Sequence, residues 1–369
     1  MAEYEKDLER FRKADHKMKE KLGEDYTFSG VKKLQDDPQY ESEATSIMTM
    51  WMYGFGTFEE YEDGYNYWKN SLAYNYNTEF NARAIIGDDP SNFGEIGYGN
   101  NNVRGLGAEH GTHVAGIICG VRGNKLGGDG VSDAALIMPL RAVPDGDERD
   151  KDIALAIYYA VDNGAQIINM SFGKSYSPYQ SEMIAAFSYA EERGVLVVHA
   201  AGNEAADNDN SENYPTSLYK GMEKRFSNWI EVGASTRYLK YKLKKGYIKN
   251  WGLVADFSNY GQEMVDVFAP GYDILSTIPD NQYDVYDGTS MASPMVAGVA
   301  ALIKSYYPEL TMLEIKECII NSVQDLGEQE VIRPGARPEV VLFDELSVTG
   351  GVVNAYNACL LAEKMCKSK

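Results

Sequence analysis

The chain has 369 residues, enough for one large α/β domain with an appendage, and a hydrophobic share of 44% supplies a sizeable core. A net charge of −20 with no clustered basic stretch argues against a nucleic-acid partner. Four cysteines in so long a chain make no disulfide framework, and no apolar run is long enough to span a membrane.

The N-terminus, Met1-Ala2-Glu3-Tyr4-Glu5-Lys6-Asp7, is charged and unlike a signal peptide. Residues 4–22 repeat Tyr4, Leu8, Phe11, Met18 and Leu22 at helical spacing, which predicts an amphipathic helix with His16 solvated. Residues 43–80 are crowded with aromatic rings. They read as a helical insert packing its rings on the main body, or as a platform for a ligand. Residues 1–82 are therefore expected to form a helical, aromatic-rich segment, and 83–369 the main domain.

His110-Gly111-Thr112-His113-Val114-Ala115-Gly116 leads into the apolar run Ile117-Ile118-Cys119. A histidine at a helix start can act as a general base, or can simply be a core residue. From Ala134 onward, strands and helices alternate. Strands are expected over 135–143, 166–172, 195–201, 230–235 and 265–269, with helices over 151–163 and 179–193. Continuous apolar strands joined by helices argue a doubly wound, mostly parallel sheet flanked by helices. Between the first strand and helix lies an acidic loop, Pro144 to Asp152. It is either a surface that favours Lys or Arg in a ligand, or a solvated turn in which Asp152 caps the helix.

Ala200-Ala201-Gly202-Asn203 ends an apolar run, and an Asn there can donate to a developing oxyanion. His199 beside it reads as structural. Gly288-Thr289-Ser290-Met291-Ala292-Ser293-Pro294 opens another apolar run. A small-residue turn delivers Ser290 to a first helical turn, beside unpaired N–H groups. That suits a nucleophile, or a plain helix cap. Asn354 is a plausible N-cap for a last helix. Cys119 reads as a core residue. Cys359 and Cys366 share a helix face but sit too far apart to bridge.

Taken in this order, the three strings resemble the subtilisin-like serine protease family (peptidase S8). Ile168-Asn169-Met170-Ser171-Phe172-Gly173, Phe257-Ser258-Asn259-Tyr260-Gly261 and Val267-Phe268-Ala269-Pro270-Gly271 extend the likeness over roughly residues 83–361. The resemblance implies a subtilisin-like fold and hydrolysis of a protein or peptide substrate through an acyl-enzyme. It casts Ser290 as nucleophile, His110 as base and Asn203 as oxyanion donor, and makes His113 an interior residue. Substrate would lie along Ser171, Phe172 and Gly173 and against a wall of Ala200, Ala201 and Gly202, with Asp147 of the acidic loop near the subsites upstream of the cut. No cofactor is required. Arg122-Gly123-Asn124-Lys125-Leu126-Gly127-Gly128 is similar to the family's calcium loop, with Asn124 as a ligand. The resemblance also implies a cis bond at Tyr214-Pro215.

One family element has no match. The triad aspartate ends an apolar strand and precedes Ser-Gly or Thr-Gly, and neither Asp63 nor Asp88-Asp89 stands in such a setting. Bacteroidetes-type members, with a long segment before the histidine motif, resemble residues 83–110 downstream of that aspartate. The expectation is thus a sequence beginning after the aspartate strand, with the full-length protein secreted or periplasmic. The alternative is an impaired relative that binds peptides without cutting them. Loss of a strand inside the sheet would leave two interior edges unpaired.

Overall fold

The computed structural model describes every residue except Met1, Leu106, 145–147, 244–245 and 249–250. Two compact units divide the chain, the first ending at Asp89 and the second running from Pro90 to Lys369.

The first unit is helical: α1 (Ala2–Leu22), α2 (Phe28–Leu34), α3 (Glu41–Met52), α4 (Phe58–Asn70) and the short α5 (Ala82–Ile86). Of the stripe predicted on α1 the middle is buried, whereas its ends, Tyr4 and Leu22, are exposed. Phe11 and Met18 lie inside with Ile47 and Met50 of α3 and Tyr61 of α4. The Tyr61 ring meets Phe11 and Phe55 edge-on, at 4.8 and 5.0 Å between centroids. Thr57 and Glu60 close a capping box at the start of α4. The aromatic crowd therefore divides: one set forms this unit's own core, while Tyr67, Trp68, Tyr74 and Tyr76 remain exposed.

The second unit contains α6 (Glu109–Cys119), α7 (Asp150–Asp162), β1 (Ile167–Met170), α8 (Gln180–Glu192), β2 (Leu196–Ala200), β3 (Trp229–Ser235), β4 (Tyr241–Leu243), β5 (Gly246–Ile248), β6 (Val267–Pro270), β7 (Ile274–Ile278), β8 (Gln282–Tyr286), α9 (Thr289–Tyr306), α10 (Met312–Ile320), β9 (Gln324–Asp325), β10 (Glu330–Arg333), β11 (Glu339–Leu342), β12 (Gly351–Val352) and α11 (Ala355–Lys367). The main sheet runs β1-β2-β3-β6-β12-β9, parallel throughout except at β9. Strand alternation sorts the core into two layers. Val198, Ile230 and Val232 pack with α9, α10 and α11, whereas Val197 and Trp229 pack with α7 and α8. The fold is the expected doubly wound α/β architecture. Asn354 caps α11 through a 3.0 Å bond from the Asn357 N–H, and the Tyr214–Pro215 bond is cis.

Two expectations fail. Residues 135–143 form no strand. Being a strand is a property of ladder pairing, and this stretch joins no backbone ladder among the described residues. Leu136 is 98% exposed, and Ile137, Met138, Leu140 and Val143 are exposed too. The stretch forms one wall of a cavity of about 1960 Å³ whose other wall includes Ile167–Met170. Among the described residues β1 pairs as a strand only with β2, so its outer edge opens into that space. Asp152 is likewise no cap. It lies inside the first turn of α7 and accepts from the Tyr98 hydroxyl. The anchor is its neighbour Asp150, buried and bonded to Ser177 Oγ, the Tyr179 N–H and Lys174 Nζ at 2.9, 2.8 and 2.5 Å.

α6 lies against β7 because Gly116 has no side chain. A Cβ there would lie 2.3 Å from Thr277 Oγ1 and 2.4 Å from Ser276 Oγ. Both hydroxyls donate to α6 carbonyls, of Thr112 and His113. Gly116→Ala should displace both bonds and destabilise the unit by about 1–3 kcal/mol, read as a lowered thermal midpoint. An unchanged midpoint would mean that the contact is not close-packed.

Candidate active site

Two strand ends and two helix starts position the candidate residues. Ser290 occupies the first turn of α9, after Gly288, which holds φ +154°. That φ is one L side chains rarely adopt. The Ser290 N–H has no partner among the described residues, as expected of a first-turn donor. Pro294 lacks an N–H, so the Ser290 carbonyl has no donor four residues on. Ser171 Oγ fills that role at 2.9 Å, and Ser290 Oγ donates to the Ser171 carbonyl at 3.2 Å. Ser171 is in turn held by Asn169 Nδ2 at 2.9 Å, and Asn169 Oδ1 accepts from Ser293 Oγ at 2.6 Å. The end of β1 and the start of α9 are thus tied by three hydrogen bonds, with the Asn169–Ser171 bond bracing the β1 side.

Asn203 follows β2 across Gly202, at φ +109°, where a Cβ would strike Asn259 Nδ2 at 2.3 Å. Its amide orientation is fixed from one side. Asn203 Oδ1 accepts the Thr289 N–H at 2.9 Å and Thr289 Oγ1 at 3.0 Å, so Nδ2 points elsewhere. A Cβ built on Gly288 would lie 3.5 Å from Ser290 N and 3.7 Å from Asn203 Nδ2. The hydrogen-only face of Gly288 thus leaves room beside two convergent donors, the arrangement that stabilises an oxyanion. Asn259 braces the same loop, donating to the Ala201 carbonyl and accepting the Glu204 and Ala206 N–H groups, each at 2.9 Å.

Ser290, Asn203, Phe172, Gly173, Ala200 and Gly202 line one cavity of about 340 Å³. Ala201 is buried behind it, and Ser171 lines the larger cavity instead. His110 also lines the larger cavity, and no hydrogen bond joins it to Ser290. The residue is exposed, yet protein packed around its imidazole disfavours the cation, and nearby His113 adds like charge. Both effects lower its pKa. Among the described residues no carboxylate bonds to His110. His113 is buried as expected, stacked on Tyr286 at 4.4 Å, with Nε2 at 3.0 Å from the Ile274 carbonyl.

Asp147 lies outside the described residues. Asn124 spends its side-chain oxygen on the Leu126 N–H at 2.9 Å, and no cluster of three His, Cys, Asp or Glu exists among the described residues. Asn124 thus meets its own loop, and no chemistry is routed through a calcium ion. Thr289 and Asn259, which orient the Asn203 loop, sit inside strings already legible in the sequence, but their partners are too distant along the chain to be read.

The sequence model of the Subtilase family matches residues 62–334. A thermophilic serine proteinase of Bacillus sp. (strain AK1) is 37% identical over 255 residues, covering 68% of this chain and 51% of that protein. Subtilisin BL of Lederbergia lenta is 34% identical over 227 residues, covering 61% of this chain and 74% of that protein. Among solved structures, proteases from Pseudoalteromonas arctica superpose with a TM-score of 0.52 at 30% identity, over 69% of this chain and 70% of theirs. The chain spans about half the length of the Bacillus proteinase.

Proposed function

The chain belongs to the subtilase family of serine proteases, and on that premise we propose that it is a serine endopeptidase. Ser290 Oγ attacks the carbonyl carbon of the scissile peptide bond. His110 takes the hydroxyl proton and later passes it to the leaving amine. The carbonyl oxygen, now an anion, is held by the Ser290 N–H and Asn203 Nδ2. The observation that carries the reading is the convergence of those two donors on the open face of Gly288. An extended peptide adds along Ser171, Phe172 and Gly173, as a strand adds to an exposed edge. One relative is named a cell wall-associated protease, which favours action outside the cytoplasm.

The third member of the site is a carboxylate to orient His110. An apolar strand lying in the cavity beside β1, and ending in Asp, would supply it. The open β1 edge, the exposed apolar side chains of 136–143 and the position of His110 on the same cavity support this. A second reading, peptide binding without turnover, draws on the Ser290 hydroxyl, which donates to the Ser171 carbonyl and not to a base.

A fluorophosphonate probe tests the first reading. It should label Ser290, and Ser290→Ala should abolish labelling; equal labelling of the variant would overturn the assignment. The pH profile adds a check. The neutral imidazole is the base, and a lowered pKa keeps it neutral further into acid. The acid limb should therefore have its midpoint below the ordinary histidine value of about 6.5. A midpoint above that value would mean that a carboxylate already faces His110.

A further inference from the structure

His199 is fully buried on β2, and both its ring nitrogens are engaged. Register places it beside Glu231 of β3. Nδ1 lies 2.9 and 3.0 Å from the two Glu231 oxygens, and Nε2 lies 2.8 Å from the Phe172 carbonyl. A carbonyl only accepts, so Nε2 carries a proton. Glu231 also accepts Trp229 Nε1 at 2.7 Å, and its own backbone N–H donates to Asp266 at 2.7 Å. A buried His–Glu pair is costly to build. Core packing alone does not call for one here, since the same layer is otherwise filled by Val197, Trp229 and Phe187.

What the pair reaches is the loop that lines the Ser290 cavity. We propose that His199 and Glu231 are positioning residues for a peptide substrate: they turn the Phe172 carbonyl into the sheet, so that the Gly173 N–H faces outward to meet the substrate backbone. In a trans peptide unit the C=O and the following N–H point in opposite directions. Fixing one therefore aims the other. Gly173 is exposed, lines the cavity and has a backbone N–H without a partner among the described residues. A β-type ligand needs such a donor held still, because an N–H that must first be ordered loses affinity to entropy. Lys174 continues the support, exchanging 2.8 Å backbone bonds with Tyr214 in both directions.

The inference rests on the peptidase reading for the class of ligand, and the experiment separates the two. Binding of acetyl-tetra-alanine, long enough to reach Gly173, and of acetyl-alanine, too short to do so, is measured by calorimetry. The test variant is H199L/E231L, which removes both partners and strands no buried charge. H199Q keeps a donor toward the Phe172 carbonyl, and thermal unfolding checks that each variant folds. Tetrapeptide affinity should fall about five- to tenfold in the double variant, the worth of one backbone hydrogen bond, with recovery in H199Q. Acetyl-alanine binding should not change. Equal losses for both ligands, or none, overturn the positioning role while leaving the peptidase reading intact. If the wild type binds neither peptide, the peptide-site reading fails and the positioning role falls with it. Should the double variant not fold, E231Q serves in its place. It should weaken the tetrapeptide alone, and an equal effect on both ligands overturns the proposal.

Discussion

A chain extended upstream by an apolar strand that ends in Asp-Ser-Gly should hydrolyse peptide esters about 10⁴-fold faster than one whose strand ends in Asn-Ser-Gly. The comparison isolates one oxygen-for-nitrogen change. Both strands can lie along the open β1 edge and cover Leu136 and its neighbours, so both should stabilise the second unit alike. Only the carboxylate holds His110 in the tautomer that accepts the serine proton, and only it favours the imidazolium that follows. The protein environment now disfavours that cation, through crowding and through His113. A carboxylate beside the ring favours the cation instead, so the acid limb should move upward with the Asp strand and stay put with the Asn strand. Equal rates for the two extended chains would show that His110 is not the base.

Asn203→Leu should lower turnover by about 10²–10³ with little change in KM. The size of the effect follows from where the amide points. Its oxygen is committed to Thr289, and its nitrogen sits over the Gly288 face beside the Ser290 N–H. A ground-state carbonyl oxygen gains little from that donor. The anion formed on attack gains much more. Leucine keeps the volume and removes the donor. A loss confined to KM would assign Asn203 to substrate positioning, and no loss would leave the Ser290 N–H as sole donor.

Much of this was legible in the sequence because it is local. A helix start is written in a few residues, as at Gly288-Thr289-Ser290 and at Asn354. Strands buried on both faces are written in runs such as Leu196-Val197-Val198. Residues 135–143 show the limit. Their composition is that of a strand, but a strand needs a neighbour, and composition says nothing about whether one is there. The same limit applies to Asp150 and Asp152. Two carboxylates two residues apart look equivalent until Ser177, Tyr179 and Lys174 select one of them. His199 read as a structural histidine, and it is buried. Its pairing with Glu231 depends on β2–β3 register, 32 residues away, and its hold on Phe172 depends on the loop after β1.

The bare β1 edge also sets the colloidal behaviour of the protein. An unpaired edge beside exposed apolar side chains is a template for another copy's edge. What opposes such stacking is the net charge of −20. That repulsion is long-ranged only in dilute salt, since it is screened over about 10 Å at 0.1 M. It also fades as carboxylates gain protons. The dispersed state is therefore held by charge more than by shape, and salt or mild acid should push the chains toward association.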